Sequence, residues 1–214
     1  MIIAIDGPSG AGKSTVAKLL SKKLNFERID TGAMYRAFAY KFYKNNLDIT
    51  EENINKVLCE TDIDYIEGNV YLDGENAEAY IRNEQISKLS SNISKIQAVR
   101  AKMVELQRKI ASTKSVVLEG RDITTVVFPN ADFKFYITAN SEARAKRRYD
   151  ELIKKGENVT LEEILEDINK RDHNDMTREI SPLKIADDAV VIDTSEHSID
   201  EVIEKLINII KLGK

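Results

Sequence analysis

The 214-residue chain has no tryptophan, one cysteine, two histidines and three prolines. A lone Cys59 excludes an internal disulfide and points to a reducing compartment. Two histidines without paired Cys or His spacing argue against a zinc centre. No long apolar segment of membrane-spanning type occurs, and the N-terminus enters a strand pattern without a signal-peptide signature, so a cytoplasmic protein is expected. Excess charge of one sign is missing too. Lys and Arg number 32 against 36 Asp and Glu, a net charge of −4, which argues against a nucleic-acid coat or an anionic-membrane binder. What is present is a 42% hydrophobic fraction, enough for the core of one compact domain, with 32% charged residues to solvate its surface. Cys59 shares an apolar helical pattern with Ile54, Val57 and Leu58 and is expected to be a small buried residue.

The richest local signal is Gly7-Pro8-Ser9-Gly10-Ala11-Gly12-Lys13-Ser14, between the apolar run Ile2–Ile5 and the helical pattern Thr15–Leu24. Strand, glycine-rich loop and helix in that order make a phosphate-binding loop. Glycines let successive N–H groups turn inward on an anion, and the helix that begins there adds its positive end. Lys13 then reaches the outer phosphates, and the Ser14 hydroxyl is placed to ligate Mg²⁺. A nucleoside triphosphate with Mg²⁺ is the expected ligand.

Short apolar runs bounded by turn residues predict parallel strands at 2–5, 27–29, 115–118, 133–138 and 189–192. Helical periodicity fills the gaps. Asn25 suits a left-handed helix cap, and Ile86 through Ile110 keep a three–four spacing that predicts one long or bent helix. Ser198 with Glu201 predicts a capping box opening a last helix over 199–212. The alternation implies an α/β sheet covered by helices on both faces. Two segments break it. Residues 63–77 read as strand, turn, strand, turn, with Gly68-Asn69 and Asp73-Gly74 as hairpin signals. Residues 154–182 are highly charged and nearly lack an apolar face after Ile168, which suggests a mobile cover.

Three further clusters carry possible chemistry. Asp30-Thr31-Gly32-Ala33-Met34-Tyr35-Arg36 stands at a strand end that opens a helix, where Thr31 and Arg36 can hold an anion; the same residues also suit a simple helix cap with a surface arginine. Glu119-Gly120-Arg121-Asp122 follows the strand Val116–Leu118, so Glu119 can hold Mg²⁺ through its water shell; a solvated turn with one ion pair is the plainer alternative. Arg144, Arg147, Arg148, Arg171 and Arg178 can close over phosphates or form a solvated face. Asn169-Lys170-Arg171-Asp172 matches a guanine-reading tetrad, but it follows a helical pattern where such tetrads follow a buried strand, and is read as coincidence.

Taken together, Asp6–Thr15, Asp30–Arg36, Glu119–Pro129, Arg171–Arg178 with Ser181–Lys184, and Ile192–Ser195 resemble the bacterial cytidylate kinases, members of the nucleoside monophosphate kinase family. The resemblance runs over essentially the whole chain. It implies a P-loop three-layer α/β sandwich with a central parallel sheet, a monophosphate-binding insert carrying a small antiparallel sheet, and a short lid. The core is placed at 1–35, 101–150 and 183–214, the insert at 36–100 and the lid at 151–182. The implied reaction moves the γ-phosphoryl group of ATP, with Mg²⁺, to CMP or dCMP, in a monomer. The donor loop is Gly7, Pro8, Ser9, Gly10, Ala11, Gly12, Lys13, Ser14 and Thr15, with Ser14 and Glu119 at the metal. Thr31, Arg36, Arg121 and Arg178 match positions that hold the acceptor phosphate. Ser91, Arg100 and Asp122 match those that read cytosine, Arg171 and Asp175 match ribose contacts, and Tyr35 matches a residue near the acceptor. Lys13, Arg121, Arg144, Arg148, Arg171 and Arg178 are the groups expected to stabilise transferred charge.

A carboxylate at Asp122 can only accept, so it favours the amino group of cytosine over the carbonyl of uracil. Members of the family usually carry glycine where this chain has Thr124, and a positive φ there would strain a β-branched residue. No general base is evident, and a phosphate acceptor with a second pKa of about 6 needs none. Two rivals remain at this stage: a small kinase with a hydroxyl acceptor, for which Asp30 or Asp122 would serve as base, and a GTP-dependent switch.

Overall fold

The computed structural model describes residues 1–213. Along the chain run β1 (Ile2–Asp6), α1 (Lys13–Leu24), β2 (Glu27–Asp30), α2 (Thr31–Lys44), α3 (Glu51–Glu60), β3 (Ile63–Ile66), β4 (Asn69–Leu72) and β5 (Glu75–Asn76). There follow α4 (Glu78–Ile81), α5 (Glu84–Ile93), α6 (Gln97–Ala111), β6 (Val116–Glu119), a π-helical turn (Ile123–Val127) and β7 (Phe133–Thr138). The chain closes with α7 (Ser141–Lys154), α8 (Leu161–Thr177), β8 (Val190–Asp193) and α9 (Ile199–Leu212). One sheet has five strands in the order β2-β6-β1-β7-β8, and a second has three in the order β3-β4-β5. β1 pairs in parallel with β7 (Ile3 opposite Phe133), and β7 with β8 (Phe135 opposite Val190). Because β1 lies inside the order with later strands on both sides, its C-terminal end is a topological switch point, where ligands of open α/β sheets bind.

The chain divides into two compact units, Met1–Phe26 with Val117–Lys214, and Glu27–Val116. In the first, the core joins Ile3 and Ile5 of β1, Phe135 and Ile137 of β7 and Ile192 of β8 to Val16 and Leu20 of α1 and to Val202, Ile203, Leu206 and Ile210 of α9. Helix α1 ends on Asn25 with φ 55°, the left-handed cap expected there, and α9 opens on the expected Ser198–Glu201 capping box. A smaller cluster (Ala145, Leu152, Ile164 and Ile168) packs α7 on α8.

The second unit is built on the buried face of α2 (Ala33, Met34, Phe38, Phe42), on Ile63, Tyr65, Val70 and Leu72 of the small sheet, and on Ile86, Ile93, Val99 and Met103 of α5 and α6. Both hairpins close through two residues of positive φ, Glu67-Gly68 and Asp73-Gly74, as two-residue hairpin loops demand. The first turn therefore sits one residue earlier than the Gly68-Asn69 expected, and Asn69 opens β4. The periodic stretch 86–110 breaks into α5 and α6. Ile96 is extended between them, and the Ser94 hydroxyl donates back to Ser91 O at 3.0 Å, a local bond that competes with helix continuation. Cys59 is exposed, against expectation. Helix α3 buries Ile54 and Val57, and five residues of helical twist turn Cys59 well away from Ile54.

Candidate active site

In the first unit, the phosphate loop wraps as its sequence dictates. Gly7 has φ 147°, and a Cβ there would lie 1.9 Å from Ile137 O on β7, so only glycine fits against that strand. Gly10 and Gly12 also take positive φ, and Gly12 is the N-cap of α1. Lys13 is buried and donates to Pro8 O at 2.7 Å. Burial pushes its ammonium pKa well down, Arg121 pushes further, and Glu119 pulls the other way. The Lys13 Nζ is thus fixed at the loop by the Pro8 carbonyl, between the charges of Arg121 and Glu119. The Ser14 hydroxyl donates to Glu119 Oε2 at 2.6 Å, joining the start of α1 to the end of β6. A hydroxyl and a carboxylate at that distance are hard oxygen donors suited to Mg²⁺.

A second group lies after β6. Arg121 Nε donates to Asp175 Oδ2 at 2.8 Å, and Arg178 sits 3.8 Å from Asp175 and 4.0 Å from Asp122. Arg178 also donates to Ser181 O at 2.7 Å. Burial would lower the Arg121 pKa, but Asp175 with Asp172 and Asp6 raises it; burial would raise Asp175, and Arg121 with Arg171 and Arg178 holds it down. Asp175 and Arg178 thus reach the Arg121-Asp122 turn from α8 and its C-cap, and Arg171 adds its positive charge near Asp175. After Ile168 the buried positions of α8 are the aspartates Asp172 and Asp175, so the apolar face ends there as expected, but the helix continues with buried acids in its place.

The sequence did not single out Asp6. It is fully buried and accepts from Ile123 N (2.9 Å), Thr124 N (2.7 Å) and Thr124 Oγ1 (2.6 Å). Burial raises its pKa, and the Thr124 and Ile123 bonds act against that rise. Thr124 takes no positive φ, so the feared strain is absent and its hydroxyl has a partner instead. In the sequence Asp6 stood only as the first residue of the Asp6–Thr15 motif, with no partner to mark it.

Arg144 is buried and directs Nε to Ala139 O and Nη1 to Ser9 O and Asp172 Oδ2. Arg147 donates to Thr194, and the more exposed Arg148 to Glu151. These α7 arginines serve different neighbours, Arg144 toward the donor loop, Arg147 toward Thr194 and Arg148 along its own helix.

In the second unit, Asp30 caps α2 by accepting from Ala33 N at 3.0 Å. Arg82 (2.9 Å), Arg36 (3.2 Å) and Arg28 (3.6 Å) surround the same carboxylate. Burial alone would raise its pKa, but Arg36, then Arg82 and Arg28, hold it down at about 2. A carboxylate so committed is a poor proton acceptor, which removes Asp30 as the base of a hydroxyl-acceptor kinase. Arg82 and Arg28 are further cations that sequence reasoning passed over. Thr31 is buried beside Asp30 at the start of α2. The buried Arg100 lies over the Tyr35 ring at 5.5 Å and donates to Ser94 O at 3.0 Å, one helical turn from Ser91. Tyr35, Ser91 and Arg100 therefore belong to one neighbourhood of this unit.

Comparison with known proteins establishes the family. The cytidylate kinase family profile matches residues 3–212. The chain belongs to the cytidylate kinase family. It is 50% identical to a cytidylate kinase of Clostridioides difficile (strain 630) over 99% of both chains. It is 48% identical to a cytidylate kinase of Caldicellulosiruptor bescii over 97% of this chain and 94% of that one. Among solved structures, an uncharacterized protein from Eubacterium ventriosum aligns with TM-score 0.54 at 16% identity, covering 99% of this chain and 98% of that one. TT1252 from Thermus thermophilus aligns with TM-score 0.50 at 18% identity, covering 99% and 96%; both likenesses concern the fold alone. As a cytidylate kinase the chain is a nucleoside monophosphate kinase, an enzyme of ATP-dependent phosphoryl transfer. No helix among the described residues is long and apolar enough to cross a membrane.

Proposed function

We propose that the enzyme transfers the γ-phosphoryl group of ATP, as its Mg²⁺ complex, to CMP or dCMP, giving CDP or dCDP. The observation that supports this most is family membership across residues 3–212 in a chain whose phosphate loop buries Lys13 and pairs Ser14 with Glu119. On the donor side, loop N–H groups from Gly10 to Thr15 and the Lys13 ammonium hold the phosphates, and Ser14 and Glu119 hold the metal. When bound, Mg²⁺ supplies charge neutralisation on the donor phosphates. On the acceptor side, Thr31, Arg36, Arg121 and Arg178 take the monophosphate, and Arg171 and Asp175 take the ribose. Asp122 accepts from the cytosine amino group, Arg100 donates to its ring nitrogen and carbonyl, Ser91 also reads the base, and Tyr35 lies near the acceptor nucleotide.

No residue need remove a proton, because the acceptor phosphate is already ionised near neutral pH. Catalysis is alignment and charge neutralisation, with residues 151–182 as the lid that excludes water. Arg178 stands beside Asp122 and Asp175 whereas Arg148 pairs with Glu151, so Arg178 carries the charge-stabilising role better, with Arg171 on the same helix. We read the enzyme as a cytoplasmic monomer acting on small molecules.

ADP release measured with MgATP and CMP, dCMP, UMP, AMP or shikimate tests the reading. Strong turnover with CMP and dCMP, weak with UMP and none with shikimate is expected. Preference for UMP or AMP would overturn the cytosine-reading assignment of Asp122.

A further inference from the structure

Ser9 is held on both sides of its residue. Its N–H donates to Asp172 Oδ1 at 3.2 Å, and its C=O accepts from Arg144 Nη1 at 2.9 Å. The same Arg144 nitrogen donates to Asp172 Oδ2 at 2.5 Å, so Ser9, Arg144 and Asp172 close a ring of three contacts. Arg144 is itself anchored by Nε to Ala139 O at 2.9 Å, at the end of β7. Both charged side chains are buried, and a Cβ at the neighbouring Gly10 would meet Arg144 Cβ at 3.3 Å. The loop therefore packs directly against the pair. Buried ion pairs are poor sources of net stability, but they fix geometry strongly where every polar group is used.

Helix α8 gives this pair a wider reach. Asp172 and Asp175 lie three residues apart, and Arg178 follows three residues on at the C-cap. Asp172 grips the donor loop, Asp175 grips Arg121, and Arg178 stands beside Asp122 and Asp175. One helix face thus touches the donor loop and two residues of the acceptor assignment.

We propose that Asp172 and Arg144 are positioning residues that set the Ser9 peptide groups, and that through α8 they couple nucleotide binding at the phosphate loop to CMP binding at Arg121 and Asp122. The coupling rests on the acceptor assignment given above. It assigns Arg144 to the shaping of the loop. Ser9 acts as an anchor from which the following N–H groups, Gly10 onward, are aimed.

The test is the affinity of a non-hydrolysable ATP analogue with Mg²⁺, by calorimetry, with and without saturating CMP. In the unaltered enzyme CMP is expected to tighten the analogue by about fivefold or more, the usual scale of such coupling. In Asp172→Asn that factor falls to within about twofold of one, while CMP still binds. Arg144→Gln/Asp172→Asn removes both charges together and serves if the single variant does not fold. Ile168→Ala, which loosens the α7–α8 packing without touching the ring, should lower the melting temperature and keep the coupling. Undiminished coupling in the Asp172 variants, equal loss in Ile168→Ala, or no coupling in the unaltered enzyme overturns the proposal. Absence of CMP binding to the unaltered enzyme would instead overturn the acceptor assignment. Hydrogen exchange of the Ser9 amide in the free enzyme gives a check without any variant: protection is expected, and exchange at open-loop rate overturns the anchoring.

Discussion

Thr124 shows how one hydroxyl can change the standing of a buried acid. Asp6 has three donors, all from residues 123 and 124, and the shortest of these bonds is the Thr124 hydroxyl at 2.6 Å. Thr124→Val keeps the β-branched shape and both backbone N–H bonds but leaves Asp6 Oδ2 facing a methyl group. Loss of a hydrogen bond to a buried charged acceptor is worth about 1–3 kcal/mol. Urea unfolding near pH 7 should show that loss for Thr124→Val and near-native stability for Thr124→Ser. The Asp6 pKa should rise further in the valine variant, because the hydroxyl bond is the first of the effects that oppose desolvation. Equal stability of the valine and threonine proteins would mean that the bond contributes nothing.

At the scale of elements, the junction of β2 and α2 is where electrostatics and backbone capping meet in one side chain. Asp30 caps α2 and also collects Arg28, Arg36 and Arg82. Its folded pKa of about 2 lies below the ordinary carboxyl value of 3.8. The ionised form is therefore favoured by folding, and the contribution is complete above pH 4 and disappears as pH falls through 2. The linked stability is about 2 kcal/mol. Denaturant unfolding followed from pH 5 to pH 2 should lose that amount in the native protein and lack this part of the slope in Asp30→Asn. An unchanged slope in the variant would show that the arginine ring does not hold the carboxylate. The break between α5 and α6 belongs to the same scale. The apolar period continues through it, so only the Ser94 back-bond and the extended Ile96 separate the two helices.

For the whole molecule, association is the property that surface composition addresses. The proposed monomer is the expected solution state, and a net charge of −4 works in the same direction. Sedimentation equilibrium at micromolar concentration should return the mass of a single chain, and a stable dimer mass would overturn the expectation. Much of the molecule was legible in its residues. The phosphate loop, the parallel strands, the Asn25 cap, the Ser198 capping box and the small hairpin sheet rest on local rules, in which φ preference, period and hydrogen-bond reach act within a few residues. Family resemblance rested on the same short motifs and was legible for that reason. Other features depended on which distant segments meet. Cys59 turned outward because α3 had only one apolar face to bury, and that face passed through Ile54 and Val57. The roles of Asp6 and Asp172 were invisible, since the partners of Asp6 lie 117 and 118 positions away and those of Asp172 lie 28 and 163 positions away. Local sequence determined the elements and the donor loop. Only the tertiary structure decided which buried carboxylate meets which donor, because desolvation and pairing are set by neighbours in space.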